Sequence, residues 1–196
     1  VRLSQPRIAP VDLDQLDAEQ QAALALTSGG RDVTKSAGTV LNIFRTLLHA
    51  PAALTAFLGW AGYILSRRNS LPERERELII LRTGYNCRSG YEFAQHKRIG
   101  LAAGLSDAEI AAIIAGPDAP SWRAEDAAML RAADDLCRDF HISEASWNAL
   151  SFLTDKQKMD LVMTVGQYTQ VSMLLNSFGV QLDPGQELDP ELDARG

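Results

Sequence analysis

The chain has 196 residues, enough for one domain with a real core and too few for two comfortable ones. A formal charge of −6 and a pI near 5.1 argue against a phosphate-binding surface, since no face gathers Lys and Arg, and no nucleic-acid partner is expected. No apolar run reaches the ~18 residues of a membrane span, and the N-terminus lacks the basic, apolar and small-residue order of a secretion signal, so a soluble, cytoplasmic protein with no membrane partner is expected.

Residues 1–12 (VRLSQPRIAPVD) hold two prolines and no period, and read as an extended arm on the body or on a neighbouring subunit. The body spans 13–182. Its first helix is expected over 13–26, followed by a polar, Gly-rich stretch at 27–38 that is either a connector or a mobile lid. Helices follow over 40–49 and 51–68, the second with Pro51 in its first turn and apolar residues on several sides, from Leu54 and Phe57 to Trp60 and Ile64. Capping boxes at Ser70/Glu73, Ser106/Glu109 and Thr154/Gln157 open helices over 72–85, 107–115 and 155–178. Between them lie helices at 90–103, ended by Gly104, at 123–140, and a short one after Ser143. Residues 183–196 read as a flexible polar tail.

No segment shows a strand's alternation bounded by turn signals, so the fold class is all-α, a single-domain helical bundle. A weak echo lays Glu77-Leu78 on Asp160-Leu161 and Tyr85 on Tyr168, which points to two related helix pairs. Only the first keeps an ionisable set.

That set lies in ELIILRTGYNCRSGYEFAQH, residues 77–96. Glu92 and His96, four apart, share one helix face, and Glu77 reaches them only if the chain turns back between Tyr85 and Gly90. His96 titrates near ~6.5 unperturbed and needs little tuning for proton transfer. It can equally be a histidine with a satisfied hydrogen bond, and Glu92 either orients it or forms an exposed pair. Glu77 sits where a charged run meets Leu78–Leu81 and would need a partner there. Cys87 is a nucleophile if its pKa is lowered, or a buried inert thiol. Tyr91 is an oxyanion donor or a packing aromatic.

Glu77, with Ser89 twelve and Glu92 fifteen residues on and His96 beyond, has the spacing Glu-x11-Cys-x-x-Cys-x3-His, and so resembles the proton-relay motif of alkyl hydroperoxidase D-like proteins. The string YEFAQHKRIGLAAGLSDAEI resembles the broader carboxymuconolactone decarboxylase family, in which Tyr-Glu-Trp/Phe-x-x-His precedes Gly-Leu-Ser. The match is specific over 71–115 and looser over 40–178. It implies an all-helical subunit of the alkyl hydroperoxidase D-like type, assembled as a homo-oligomer (trimer or hexamer) with the motif helices near an interface.

Both redox positions of the motif are replaced, by Ser89 and Glu92, and Cys137 lies 50 residues from Cys87. A two-cysteine peroxidase cycle is not expected, since such a pair needs Cα atoms within ~7 Å. A one-thiol peroxidase on Cys87 would need an external thiol. The decarboxylase branch implies a lyase with no cofactor and no metal, acting on a small lactone or aromatic-derived carboxylic acid. In it His96 donates the proton, Glu92 and Glu77 orient and shuttle, and Tyr91 or a backbone N–H holds the oxyanion. Arg82 either grips a substrate carboxylate or pairs with Glu77 or Glu75. A non-catalytic oligomer with a Glu92–His96 interface pair is the third reading.

Overall fold

The computed structural model describes residues 3–27 and 40–193. In chain order it carries a 3-10 turn (Leu13–Gln15), α1 (Ala18–Thr27), α2 (Asn42–Leu47), α3 (Pro51–Ile64), α4 (Glu73–Asn86), α5 (Gly90–Ala102), α6 (Asp107–Ala115), α7 (Ala124–Asp139), α8 (Glu144–Ala149), α9 (Asp155–Phe178) and α10 (Pro190–Asp193), with no strand among those residues. The all-α expectation holds. None of these helices is long and apolar enough to cross a membrane. Beyond Thr27, the Gly-rich stretch lies outside the described residues.

α4 is the axis of the fold. Every residue from Arg76 to Gly84 is buried, as a helix with neighbours on all sides requires. α5 packs on one flank, α7 and α9 on others. Leu78, Ile79, Ile80 and Leu81 are wholly removed from solvent, and burial of that kind stabilises by about 1.5–3 kcal/mol per side chain. Leu78 and Leu81 share a core with Phe93, Met129, Leu130 and Leu161, whereas Ile80 packs with Ile64 and Tyr168.

The expected helices 107–115 and 155–178 and their capping boxes are present. The box at Ser70 is not, because α4 begins after Pro72 with no side-chain cap. Ser70 instead donates its N–H and hydroxyl to Asp160, both at 2.7 Å. Asp160 also accepts from Tyr63 (2.5 Å) and Lys156 (2.7 Å). Burial raises its pKa, and these donors, Lys156 foremost, bring it down to about 2. The helix expected over 13–26 is interrupted because Asp17 and Gln20 form their own reciprocal cap (2.8 and 3.0 Å) and open α1 anew.

The second half of the internal echo runs as one uninterrupted helix, α9, so the hairpin of α4 and α5 has no counterpart there. The N-terminal arm lies on the body: Arg7 N–H donates to Phe178 O at 2.8 Å, close over Gly179. That glycine has φ 68°, and a Cβ on it would meet Gln5 O at 2.9 Å. Residues 183–193, left without structure on composition, are tied down: Asp183 accepts from Asn42 N–H at 2.7 Å, and Leu192 is buried in the main core.

Gly100 sets how closely α5 approaches α4. A Cβ there would stand 3.0 Å from Leu105 Cδ1 and 3.2 Å from Leu81 Cδ1. Gly100→Val should therefore lower the unfolding free energy by about 1–3 kcal/mol. Gly59→Ala, on α3 where nothing lies within 4 Å of the new methyl, should raise it by about 1 kcal/mol. Urea denaturation of both variants reads the two signs.

Candidate active site

The chain does turn back. Cys87 ends α4, Arg88 takes the left-handed conformation at φ 53°, and Ser89 opens α5. Arg88 N–H donates to Tyr85 O (3.0 Å) and Ser89 N–H to Gly84 O (2.9 Å), the paired bonds of a Schellman turn. Asn176 of α9 pins the turn by donating to Cys87 O at 2.9 Å. A left-handed non-glycine residue costs about 1–2 kcal/mol, which the bonded turn offsets.

The turn brings Glu77, Glu92 and His96 together. His96 Nδ1 lies 2.6 Å from Glu77 Oε2, and Nε2 lies 3.0 Å from Glu92 Oε1. Relative exposures are 1% for Glu77, 4% for Glu92 and 6% for His96, so water screens the cluster little. Tyr168 of α9 sets its ring edge-on to the imidazole, 4.9 Å away at 84°. Burial pulls the His96 pKa down. The charge of Glu92, the hydrogen bonds to Glu77 and Glu92, and the charge of Glu77 outweigh it and raise the pKa from 6.5 to about 10. Burial, then the charges of Glu92 and Glu77, push the Tyr168 phenol well above its usual value, with Arg76 opposing.

Glu92 and His96 face a cavity of about 160 Å³, walled by Phe44, Phe57, Leu65, Ile99 and Val171 and by Tyr91, Gln95, Gln167 and Tyr168. Glu77 is outside the wall and holds His96 from behind. The cavity is mostly apolar with a few polar groups, the usual character of a small-molecule site.

Three expected site residues do not join the cluster. Arg82 turns to α7, where Nε and Nη2 grip Asp134 (2.6 and 2.8 Å) and Nη1 donates to Ile113 O (2.7 Å). It neither reaches the cavity nor pairs with Glu77 or Glu75. Tyr91 is in the cavity wall, but its hydroxyl donates to Asp183 at 2.5 Å, and burial with that bond pushes the phenol pKa up, so it is no oxyanion donor. Cys87 is half-buried at the end of α4, outside the cavity wall. Its neighbour is Cys137, whose thiol is raised by a hydrogen bond to Cys87 and then by burial.

The sequence reading missed what α9 and the tail supply. Gln167 is 1% exposed and faces the cavity, and neither of its side-chain polar atoms has a hydrogen-bond partner among the described residues. A buried amide group left unpaired costs about 1–3 kcal/mol. The only sequence signal was a polar Gln-Tyr pair inside an apolar helix face. Arg76, in the charged run just before Glu77, is 6% exposed. Asp183 acts across 92 positions on Tyr91, a distance no local pattern reports.

Residues 51–135 match the carboxymuconolactone decarboxylase family. No curated protein matches the sequence. Among solved structures, the fold is similar to the debrominase Bmp8 in complex with 2,3,4-tribromopyrrole (12% identity, TM-score 0.73, 97% of this chain and 96% of that one). It is also similar to an uncharacterised peroxidase-related protein with an alkylhydroperoxidase AhpD core from Ralstonia eutropha JMP134 (20%, 0.66, 95% and 94%). An uncharacterised peroxidase-related protein from Silicibacter sp. TM1040 is a third (16%, 0.71, 97% and 96%). At such identities the likeness establishes the fold.

The His96 pKa makes stability depend on pH. A folded value near 10 against 6.5 for the ordinary side chain means that the imidazolium's contribution is complete below about pH 6.5 and is lost as pH rises through about 10. Urea midpoints should fall between pH 7 and 10 in the wild type. The fall should be shallower in His96→Gln, which has no imidazole to deprotonate.

Proposed function

From a carboxymuconolactone decarboxylase family segment at residues 51–135, set in an alkyl hydroperoxidase D-like fold, we propose an enzyme that moves a proton at carbon in a small, largely apolar carbonyl compound. The lyase reaction expected from the sequence, loss of carbon dioxide from a lactone acid, is one reaction of this class. One observation carries the proposal: the line Glu92–His96–Glu77, with two members on an apolar cavity and the third behind them.

Glu92 uses Oε1 on His96 and directs its remaining oxygen at the substrate, where it takes a proton from carbon or returns one. The imidazolium steadies Glu92 and relays one proton: Nε2–H passes to Glu92 when Glu92 has protonated carbon, leaving a neutral ring that keeps its Nδ1–H on Glu77, and the proton returns to Nε2 when Glu92 next takes one from carbon. In decarboxylation the bond to the carboxylate carbon breaks, its electron pair moves toward the ring carbonyl, and Glu92 then protonates the carbon. With Arg82 engaged by Asp134, a substrate carboxylate would find only His96 as a counter-cation among the described residues of the wall. Cytoplasmic location and assembly into trimers or hexamers belong to the same proposal. Exposed Met159, Met163 and Met173 on α9 support self-association.

A second reading, thiol peroxidase chemistry, is favoured by the approach of Cys137 to Cys87, a pairing the spacing of 50 residues concealed. Cys87 would attack a hydroperoxide and Cys137 would resolve the sulfenic acid with loss of water.

Incubation with small ring carbonyl compounds in D2O, read by proton NMR, should show deuterium entering beside the carbonyl, and release of carbon dioxide from lactone acids tests the lyase reaction. Glu92→Gln should lower turnover by about 10²–10⁴-fold, and Glu77→Gln by less. Arg82→Lys should leave KM unchanged while lowering stability. Activity confined to Cys87-dependent hydroperoxide consumption would overturn the acid–base reading in favour of the second.

A further inference from the structure

The acid–base reading leaves one polar group of the cavity unexplained, and that group identifies the ligand. Gln167 is 1% exposed, stands in the same wall as Glu92 and His96, and has both Oε1 and Nε2 without a hydrogen-bond partner among the described residues. Several of its polar neighbours are committed. The Tyr91 hydroxyl and Gln95 Nε2 both go to Asp183 (2.5 and 2.6 Å), and the two nitrogens of His96 go to Glu77 and Glu92. Gln167 therefore keeps a donor and an acceptor side by side in a buried wall, open to a ligand that pairs with both.

The chemistry of the partner follows from the shape of the amide. A carboxamide presents its N–H and C=O side by side in one plane, so the complementary edge is a C=O beside an N–H, as in a cyclic amide. A lactone or a carboxylate offers acceptors only and would leave Gln167 Oε1 facing another oxygen. Charge points the same way. Among the described residues the wall contains no Lys or Arg, and its His96 already lies between two carboxylates, so an anion would be poorly matched there. A volume of about 160 Å³ is close to that of a cavity known to hold benzene, which limits the ligand to one small ring.

Resting on the reading of Glu92 and His96 as the proton-moving pair, we propose that Gln167 is the specificity-determining residue and that the site takes a neutral small-ring lactam. The ring N–H donates to Gln167 Oε1 and the ring carbonyl accepts from Nε2. The second bond also polarises the carbonyl and makes the adjacent carbon easier to deprotonate.

The test titrates the full chain with 2-pyridone, with N-methyl-2-pyridone, which lacks the N–H, and with benzoate, following the Gln167 side-chain amide signals in proton–nitrogen NMR spectra. Wild-type protein should bind 2-pyridone about tenfold or more tightly than either competitor, with those signals shifting. Gln167→Met should lose the preference and melt at a higher temperature, since the unpaired amide is gone. Equal wild-type affinity for N-methyl-2-pyridone or benzoate would overturn the proposal without recourse to any variant, and so would a preference that survives in Gln167→Met. Glu92→Gln should abolish deuterium exchange yet keep the 2-pyridone preference. If wild type shows the preference but no exchange, the acid–base reading fails and the assignment of Gln167 stands.

Discussion

An imidazole held between two buried carboxylates is the constraint on which the rest of the molecule depends. His96 meets Glu77 on one side and Glu92 on the other, all three largely out of water. Removing one partner from a buried ionic group generally costs about 3–5 kcal/mol, so the three are stable only as a set. Glu77 comes from α4 and the other two from α5. The tight turn at Arg88 and the close approach of the helices at Gly100 are what put them within bonding distance. The edge of Tyr168 and the nearby charge of Arg76 close the set from α9 and α4.

α4 separates two kinds of chemistry along its length. Its buried middle places Glu77 behind the cavity, while its C-terminal end carries Cys87 toward α7 and Cys137. Between them Arg82 is spent on Asp134 and Ile113 O, tying α4 to α7 and to the end of α6. The cavity side is apolar, with its charge confined to the Glu92–His96 pair, and Gln167 is its uncommitted amide. The proposed proton transfer on a neutral ring draws on this division.

What could be read from the sequence was what local spacing encodes. The capping boxes at Ser106 and Thr154 placed α6 and α9 to the residue, because a cap is a contact within four positions. The spacing of Glu77, Glu92 and His96 carried the site, because a motif is a helix, a turn and a helix read in order. Pro72 defeated the same logic at Ser70, whose donors were drawn to Asp160 across 90 positions. Arg82, Cys137, Asp183 and Gln167 share that difficulty. Each owes its role to a partner or cavity assembled by packing, and their local sequence is that of ordinary helix or tail. The second helix pair suggested by the echo failed to form because α9 has no counterpart to the turn at Arg88.

His96 is a cation shared by two carboxylates, and nitrogen NMR of its imidazole reads that state. Both ring nitrogens should be protonated through neutral pH, with a titration midpoint near 10 that moves down when either Glu77 or Glu92 becomes Gln. A neutral ring at pH 7 with a midpoint near 6.5, indifferent to both substitutions, would contradict it.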